Sequence, residues 1–267
     1  MTKTLLSFGC GNMANAIIQG LYNSQADLSY TLFTPSQTKA VSLSQIVAGE
    51  VLTSLNKIPS SNYFMISCKP QQLEELAKDI KSKLNEDSII ISILAGTTVE
   101  TLQKLLGVQK VLRVMPNTPI LVGAGVNAFY FSKEVSKSER QELIELFSKF
   151  SKVFTFESEL EIDKITGFSG SGPAYLFEFS RLLTEKMISM GIEEQIATDM
   201  IKWTIYGSAK LQLDSNDSSE RLRENVTSKN GVTYEALEVF KQMDFKNMVD
   251  NALDAAYNRS IELSKQN

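Results

Sequence analysis

Leu5-Leu6-Ser7-Phe8-Gly9-Cys10-Gly11-Asn12-Met13-Ala14-Asn15-Ala16 is the stretch whose reading decides the fold. Leu5–Phe8, apolar but for Ser7, suits a buried strand. Gly9 and Gly11 follow at once, and Ala14 stands where a third glycine often sits. Ala16, Ile17, Ile18, Gly20 and Leu21 then recur at helical spacing. Strand, tight turn and helix are the context in which G-x-G-x-x-G/A holds a dinucleotide. Gly9 permits the turn, Gly11 leaves room for a pyrophosphate against the backbone, and Ala14 lets helix and strand pack closely. Free N–H groups and the positive dipole at the helix start then attract phosphate. Gly9, Cys10, Gly11, Asn12, Met13 and Ala14 are therefore the expected phosphate loop. A glycine-rich turn without a ligand is the competing reading, and the flanking strand and helix weigh against it.

Working outward, Tyr30–Phe33 reads as a second strand. A fold that binds NAD normally places Asp or Glu near the end of this strand, to hold the ribose hydroxyls. Here the residues are Thr34-Pro35-Ser36-Gln37-Thr38-Lys39. No carboxylate repels a 2′-phosphate, and three hydroxyls and an ammonium are available to hold one. Capping of the next helix would use the same residues. NADPH is the expected cofactor, with NADH weaker. Further strands are expected within Ile46–Leu52, at Asn62–Ser67, Ser88–Leu94 and Lys110–Met115, and at Lys152–Phe156, with Gly125–Phe131 preceding the amphipathic helix Lys137–Phe150. Ser88–Leu94 is the β-branched run of a strand covered on both faces. Strands alternating with helices imply a parallel, doubly wound sheet. The turns at 9–14, 34–39, 68–70, 95–97 and 115–118 then share one sheet edge, where such folds bind ligands.

The composition narrows the chemistry. The chain has 267 residues, 43% of them hydrophobic, and a formal charge of −4. There is no basic surplus for nucleic acid. No apolar run reaches membrane-spanning length, and no signal peptide fits before the first strand, so a cytoplasmic location is expected. The chain has no histidine. That removes Ser-His-Asp and Cys-His catalysis, histidine acid–base work and most catalytic zinc sites, and no metal is expected. Cys10 and Cys68, far apart in sequence, read as two small thiols beside strand ends, not as a disulfide framework.

After Glu157 no strand-like run appears. A glycine-rich hinge, Gly167–Pro173, is expected to open a helix through Met190, followed by one over Glu193–Leu213 and others near 220–225, 233–242 and 247–265. The architecture is thus α/β: a Rossmann-like dinucleotide-binding domain over 1–156 and an all-helical domain over 157–267. The helix Ala174–Met190 is apolar nearly all round and must be covered on most sides. A homodimer through this domain is expected; an interior helix of a monomer is the alternative.

Five segments together, GCGNMANAIIQG (9–20), CKPQQ (68–72), RVMPNTP (113–119), DKITGFSGSGPAY (163–175) and LRENVTSKNGVT (222–233), resemble the pyrroline-5-carboxylate reductase family over nearly the whole chain. The last two are the most specific. The resemblance implies a Rossmann domain, a helical dimerisation domain, NADPH as hydride donor, and a dimer or a ring of dimers. By position it places Ser36 and Asn56 at the adenosine phosphate end of the cofactor. Cys68, Lys69, Pro70, Ala95 and Gly96 match the wall beside ribose and nicotinamide, and Glu159, Asn225, Val232 and Thr233 match the substrate pocket. The family's usual Pro-Gly-Gly is replaced here by Lys229-Asn230-Gly231, and Cys10 replaces a smaller residue. Asn tolerates the left-handed backbone such a turn needs.

Reducing a cyclic imine requires hydride at carbon and a proton or strong hydrogen bond at nitrogen; the cofactor brings the hydride and the protein positions and polarises. Thr233 is the family-matched residue for the nitrogen, read as an orienting donor because a hydroxyl is a poor acid. Backbone N–H groups around Gly231–Thr233 would take the substrate carboxylate. A β-hydroxyacid dehydrogenase is the nearest rival. Its catalytic lysine follows a glycine-rich motif, whereas here Ser171-Gly172-Pro173-Ala174-Tyr175 leads to no lysine before Lys186. A non-catalytic NADPH-binding regulator is the rival from another class.

Overall fold

The computed structural model describes residues 2–266. It divides into two compact units, residues up to 171 together with those from 256 on, and residues 172–255. In the first unit the order is β1 (Lys3–Phe8), α1 (Asn12–Asn23), β2 (Leu28–Phe33), α2 (Thr38–Val47), β3 (Glu50–Val51), β4 (Tyr63–Ile66), α3 (Leu73–Ile80), β5 (Ile89–Ser92), α4 (Val99–Leu106), β6 (Val111–Pro116), β7 (Gly125–Phe131), α5 (Lys137–Ser148), β8 (Ser151–Thr155) and α6 (Glu159–Ile165). The strands form one sheet in the order β3-β2-β1-β4-β5-β6-β7-β8.

Strand polarity alternates burial between two layers. Leu5 faces a core shared with Ile17, Ile18 and Leu21 of α1, Leu43 of α2 and Phe147 of α5. Leu6 and Phe8 face the opposite core, with Leu73 and Ile80 of α3 and Leu102 and Leu106 of α4. This period-two split puts helices on both faces, as the β-branched runs required. The strands β1 to β6 are parallel, so the turns after β1, β2, β4, β5 and β6 share one edge.

Two expectations are corrected. The sheet is not parallel throughout: β7 runs antiparallel to β6, and β8 then pairs parallel with β7. Only residues 117–124 join β6 to β7, too few for a crossover, which needs about a dozen residues. Nor is Gly167–Pro173 an open hinge. A π-helical turn, Thr166–Gly170, continues from α6 almost directly into α7 (Gly172–Ser189). Its glycines answer to packing. A Cβ on Gly167 would lie 3.1 Å from the Ala256 Cβ, and one on Gly170 would lie 3.3 Å from the Met115 sulfur. Ile162 of α6 joins Met115 and Ala128 in a small core of its own, so the first unit runs on past residue 156.

The second unit holds α7, α8 (Glu194–Asp214), α9 (Ser219–Asn225), α10 (Val232–Gln242) and the start of α11 (Phe245–Gln266), whose later residues belong to the first unit. Taken alone it buries few apolar side chains; Ala197 and Ile201 are among them. Phe177 is 67% exposed, Trp203 70% and Leu213 85%. No described helix is long and apolar enough to cross a membrane.

Candidate functional site: a dinucleotide cavity, a buried ion cluster and an open helix start

A cavity of about 590 Å³ opens where β1, β2 and β4 end. Phe8, Gly9, Cys10 and Gly11 line it from the first turn, Phe33, Thr34, Pro35 and Lys39 from the second, and Ser67, Cys68 and Lys69 from the third; Leu55, Gln72, Glu75, Leu76 and Asp79 complete it. Of the residues expected to hold the cofactor, Gly9, Cys10, Gly11, Thr34, Cys68 and Lys69 therefore meet in one place. Asn12, Met13 and Ala14 form the first turn of α1. Ser36 and Asn56 are exposed outside the lining, Pro70 starts a short helical turn, and Ala95 and Gly96 form the turn after β5.

The two glycines of the first turn differ in what they need. Gly9 has φ +121°, and a Cβ there would stand 2.5 Å from the Ser67 carbonyl oxygen. Its N–H donates to the Phe33 carbonyl at 2.9 Å, and its own carbonyl accepts from Ser7 Oγ at 2.7 Å and Ser67 Oγ at 2.9 Å. The two serines, which sequence reasoning missed, fix the turn. Gly11 precedes α1 with φ −69°, and a Cβ there would meet nothing within 4 Å. The protein's own packing gives no reason for Gly11 to lack a side chain; a pyrophosphate approaching the helix start does.

Thr34 adds a second mark of a ligand. Its hydroxyl is buried and makes no hydrogen bond among the described residues, although it belongs to the cavity lining. Burial raises the Cys10 thiol to about 11, against the opposing pull of the Lys39 ammonium. Burial likewise raises Cys68 to about 11, opposed by a backbone hydrogen bond. Both thiols are neutral at pH 7 and offer a phosphate no competing charge.

A second cluster lies behind the turn after β5. Arg113 on β6 is 1% exposed. Its Nη1 donates to Glu159 Oε1 at 2.9 Å and its Nη2 to Asp163 Oδ1 at 2.6 Å. The same Glu159 oxygen accepts the Val99 N–H at 2.8 Å, at the first residue of α4. Glu159, which the resemblance assigns to the substrate pocket, is thus committed to Arg113 and to the start of α4. A charged residue inside the apolar strand Val111-Leu112-Arg113-Val114-Met115 was the available signal that buried carboxylates would be waiting.

Asn225, Val232 and Thr233 lie in the second unit. Asn225 ends α9, and Val232 and Thr233 open α10. Gly231 precedes α10 in extended conformation without a side-chain cap. Asn230 has φ +55°, so the left-handed turn survives the loss of the family's glycine. The exposed start of an uncapped helix of this length presents unpaired N–H groups suited to a carboxylate.

Comparison with known proteins agrees with this arrangement. Residues 159–263 match the family described as pyrroline-5-carboxylate reductase dimerisation, and residues 5–96 match NADP oxidoreductase, coenzyme F420-dependent. The chain is 31% identical to pyrroline-5-carboxylate reductase of Staphylococcus haemolyticus, covering 98% of each. It is 32% identical to that of Haemophilus influenzae, again covering 98% of each. Among solved structures it matches a pyrroline-5-carboxylate reductase from Coxiella burnetii with TM-score 0.88 and 28% identity, covering 99% of both chains. It matches the Plasmodium falciparum pyrroline carboxylate reductase with NADP bound with TM-score 0.85 and 25% identity, covering 98% of both. With a dinucleotide cavity in its first unit, and relatives matched from end to end, the chain belongs to the pyrroline-5-carboxylate reductase family.

Proposed function

We propose that this protein reduces 1-pyrroline-5-carboxylate to proline with NADPH, the last step of proline biosynthesis. The observation that carries the reading is the conjunction, in one chain of this family, of a cavity beside a bare Gly11 and an uncapped α10 that begins Val232-Thr233. Gly9–Ala14 hold the pyrophosphate. Thr34, Ser36 and Asn56 serve the adenosine phosphate end, and Cys68, Lys69, Pro70, Ala95 and Gly96 wall the ribose and nicotinamide. NADPH supplies the hydride when bound. Asn225, Val232 and Thr233 serve the substrate, with the N–H groups at the α10 start taking its carboxylate and the Thr233 hydroxyl oriented on the imine nitrogen. The first unit is then the cofactor domain, and the helical unit carries the substrate loop and the dimer contact.

The helical unit supports a homodimer. Leu176, Phe177, Leu182, Trp203 and Tyr206 are exposed on α7 and α8 of the single chain. Apolar surface of this extent on consecutive helices marks an interface. A ring of dimers is the larger assembly the family resemblance implies. A cytoplasmic location goes with a product that feeds protein synthesis.

The discriminating experiment supplies the purified protein with NADPH or NADH and pyrroline-5-carboxylate, and separately with NADP and β-hydroxyacids. Rapid NADPH oxidation with the imine alone is expected. Hydroxyacid oxidation, or cofactor binding without turnover, would favour the two rivals in turn.

A further inference from the structure

The turn Ala95–Thr98 is gripped from two sides. On one side Glu159 Oε1 accepts the Val99 N–H at 2.8 Å while pairing with Arg113. On the other, a Cβ on Gly96 would lie 2.9 Å from Leu263, in the closing turns of α11. The neighbouring Ser264 Oγ donates to Asp163 Oδ1 at 3.0 Å, the atom that also accepts from Arg113. All these residues belong to the first unit.

We propose that Glu159 is a positioning residue for hydride transfer: together with Arg113, Asp163 and Ser264 it fixes the Ala95–Thr98 turn as a rigid wall for the nicotinamide. The proposal rests on the reading, given above, that Ala95 and Gly96 lie beside that ring.

The charge balance supports a device for geometry. One guanidinium faces two carboxyl groups, in a site where Arg113 and Asp163 are nearly fully buried and Glu159 is partly so. A buried carboxylate is costly unless further donors reach it. Those donors come from two distant places, the start of α4 and the last turns of α11. The N–H groups and dipole of α4 suit an anion, and the Ser264 hydroxyl completes Asp163. The two carboxylates therefore receive these donors only when the turn before α4 and the end of α11 are both seated, while Arg113 Nε is buried with no hydrogen-bond partner among the described residues. Apolar residues would serve stability as well or better. What the ion cluster adds is a single fixed direction for each hydrogen bond. Hydride transfer needs such fixity, since a misplacement of about 1 Å can cost on the order of 100-fold in rate.

The test uses the full chain with Glu159→Ala, Glu159→Gln and Ser264→Ala. It reads kcat, NADPH affinity by fluorescence, and the isotope effect with NADPH deuterated at C4. For Glu159→Ala we expect kcat to fall about 10- to 100-fold, the loss that misaligned reactants incur. NADPH affinity should stay within about twofold, because the phosphates are held at the other turns. The isotope effect should rise as transfer becomes rate-limiting. Glu159→Gln, which keeps an acceptor of the same length, should recover most of the rate. Ser264→Ala should move kcat and the isotope effect in the same direction by a few-fold, and it carries the test if Glu159→Ala does not fold. Wild-type kcat and isotope effect in Ser264→Ala and in folded Glu159→Ala, whatever their melting temperatures, would overturn the proposal. So would a Gln variant no better than Ala. Absence of imine reduction by the wild type would instead overturn the functional reading, and the proposal with it.

Discussion

Gly9 lies directly against Ser67: a Cβ at Gly9 would stand 2.5 Å from the Ser67 carbonyl oxygen, and the Ser67 hydroxyl holds the Gly9 carbonyl at 2.9 Å. The turns after β1 and β4, neighbours on the sheet edge, are thereby locked together. Gly9→Ala must open this contact and also strain a backbone at φ +121°, so it should lose about 1–3 kcal/mol of stability. Gly11→Ala meets nothing within 4 Å and should melt within about 0.5 kcal/mol of the wild type. Its NADPH affinity should nonetheless fall about tenfold or more, or ~1.4 kcal/mol. Thermal melts and NADPH titrations of the two variants check this. A Gly11→Ala protein that binds NADPH normally would contradict the placement of the pyrophosphate.

Cofactor choice is set after β2. Ser36→Asp introduces a carboxylate where a 2′-phosphate is expected, at an exposed position screened by solvent. NADPH should weaken about 10- to 100-fold while NADH changes by no more than about twofold. Steady-state KM values for both cofactors decide it, and an equal loss for both would exclude Ser36 from the phosphate site.

The two thiols give a pH signature. Burial raises Cys10 and Cys68 from the ordinary 9.0 to about 11. The folded protein keeps these protons over a range where the unfolded chain has lost them. The stability they contribute is full below about pH 9 and is lost as pH rises from there to about 11. Urea midpoints should fall across that window, and less steeply in Cys10→Ala/Cys68→Ala. At pH 8 both thiols should react with iodoacetamide more slowly than free cysteine, and more slowly still with NADPH in the cavity they line. Alkylation at the free-cysteine rate would contradict the assigned burial.

Thr233 is the residue placed at the reacting nitrogen. Thr233→Ala removes the hydroxyl and leaves the N–H groups at the start of α10, so binding of the substrate carboxylate should survive. The loss should fall on kcat, about 10- to 1,000-fold, as for one missing positioned donor. NADPH affinity should barely change. Near wild-type turnover would assign the nitrogen to water or another group.

What the sequence revealed was local. The strand–turn–helix at Leu5–Ala16 is legible because each residue's role depends on its neighbours, and the same holds for the β-branched run ending at Leu94. The reversal at β7 depended on counting the short connection from Asn117 to Ala124 against the length of a crossover. The glycines at 167 and 170 look like a hinge in sequence because nothing local shows Ala256 or Met115 pressing on them. Arg113 sits in a segment that reads as a strand and turn, yet its partners are 46 and 50 residues away. The apolar helix Ala174–Met190 reads as covered, and in the single chain it is exposed. A second chain reconciles the two observations, because burial between subunits leaves the same pattern in sequence as burial within one.

The central claim is hydride transfer from NADPH to the imine carbon, and following the hydride tests it most directly. The protein is given pyrroline-5-carboxylate and NADPH carrying deuterium in both C4 positions, and the amino-acid product is isolated. The account predicts proline with one deuterium, on the ring carbon next to nitrogen and remote from the carboxylate. Proline without deuterium, or no proline while NADPH binds normally, would contradict it.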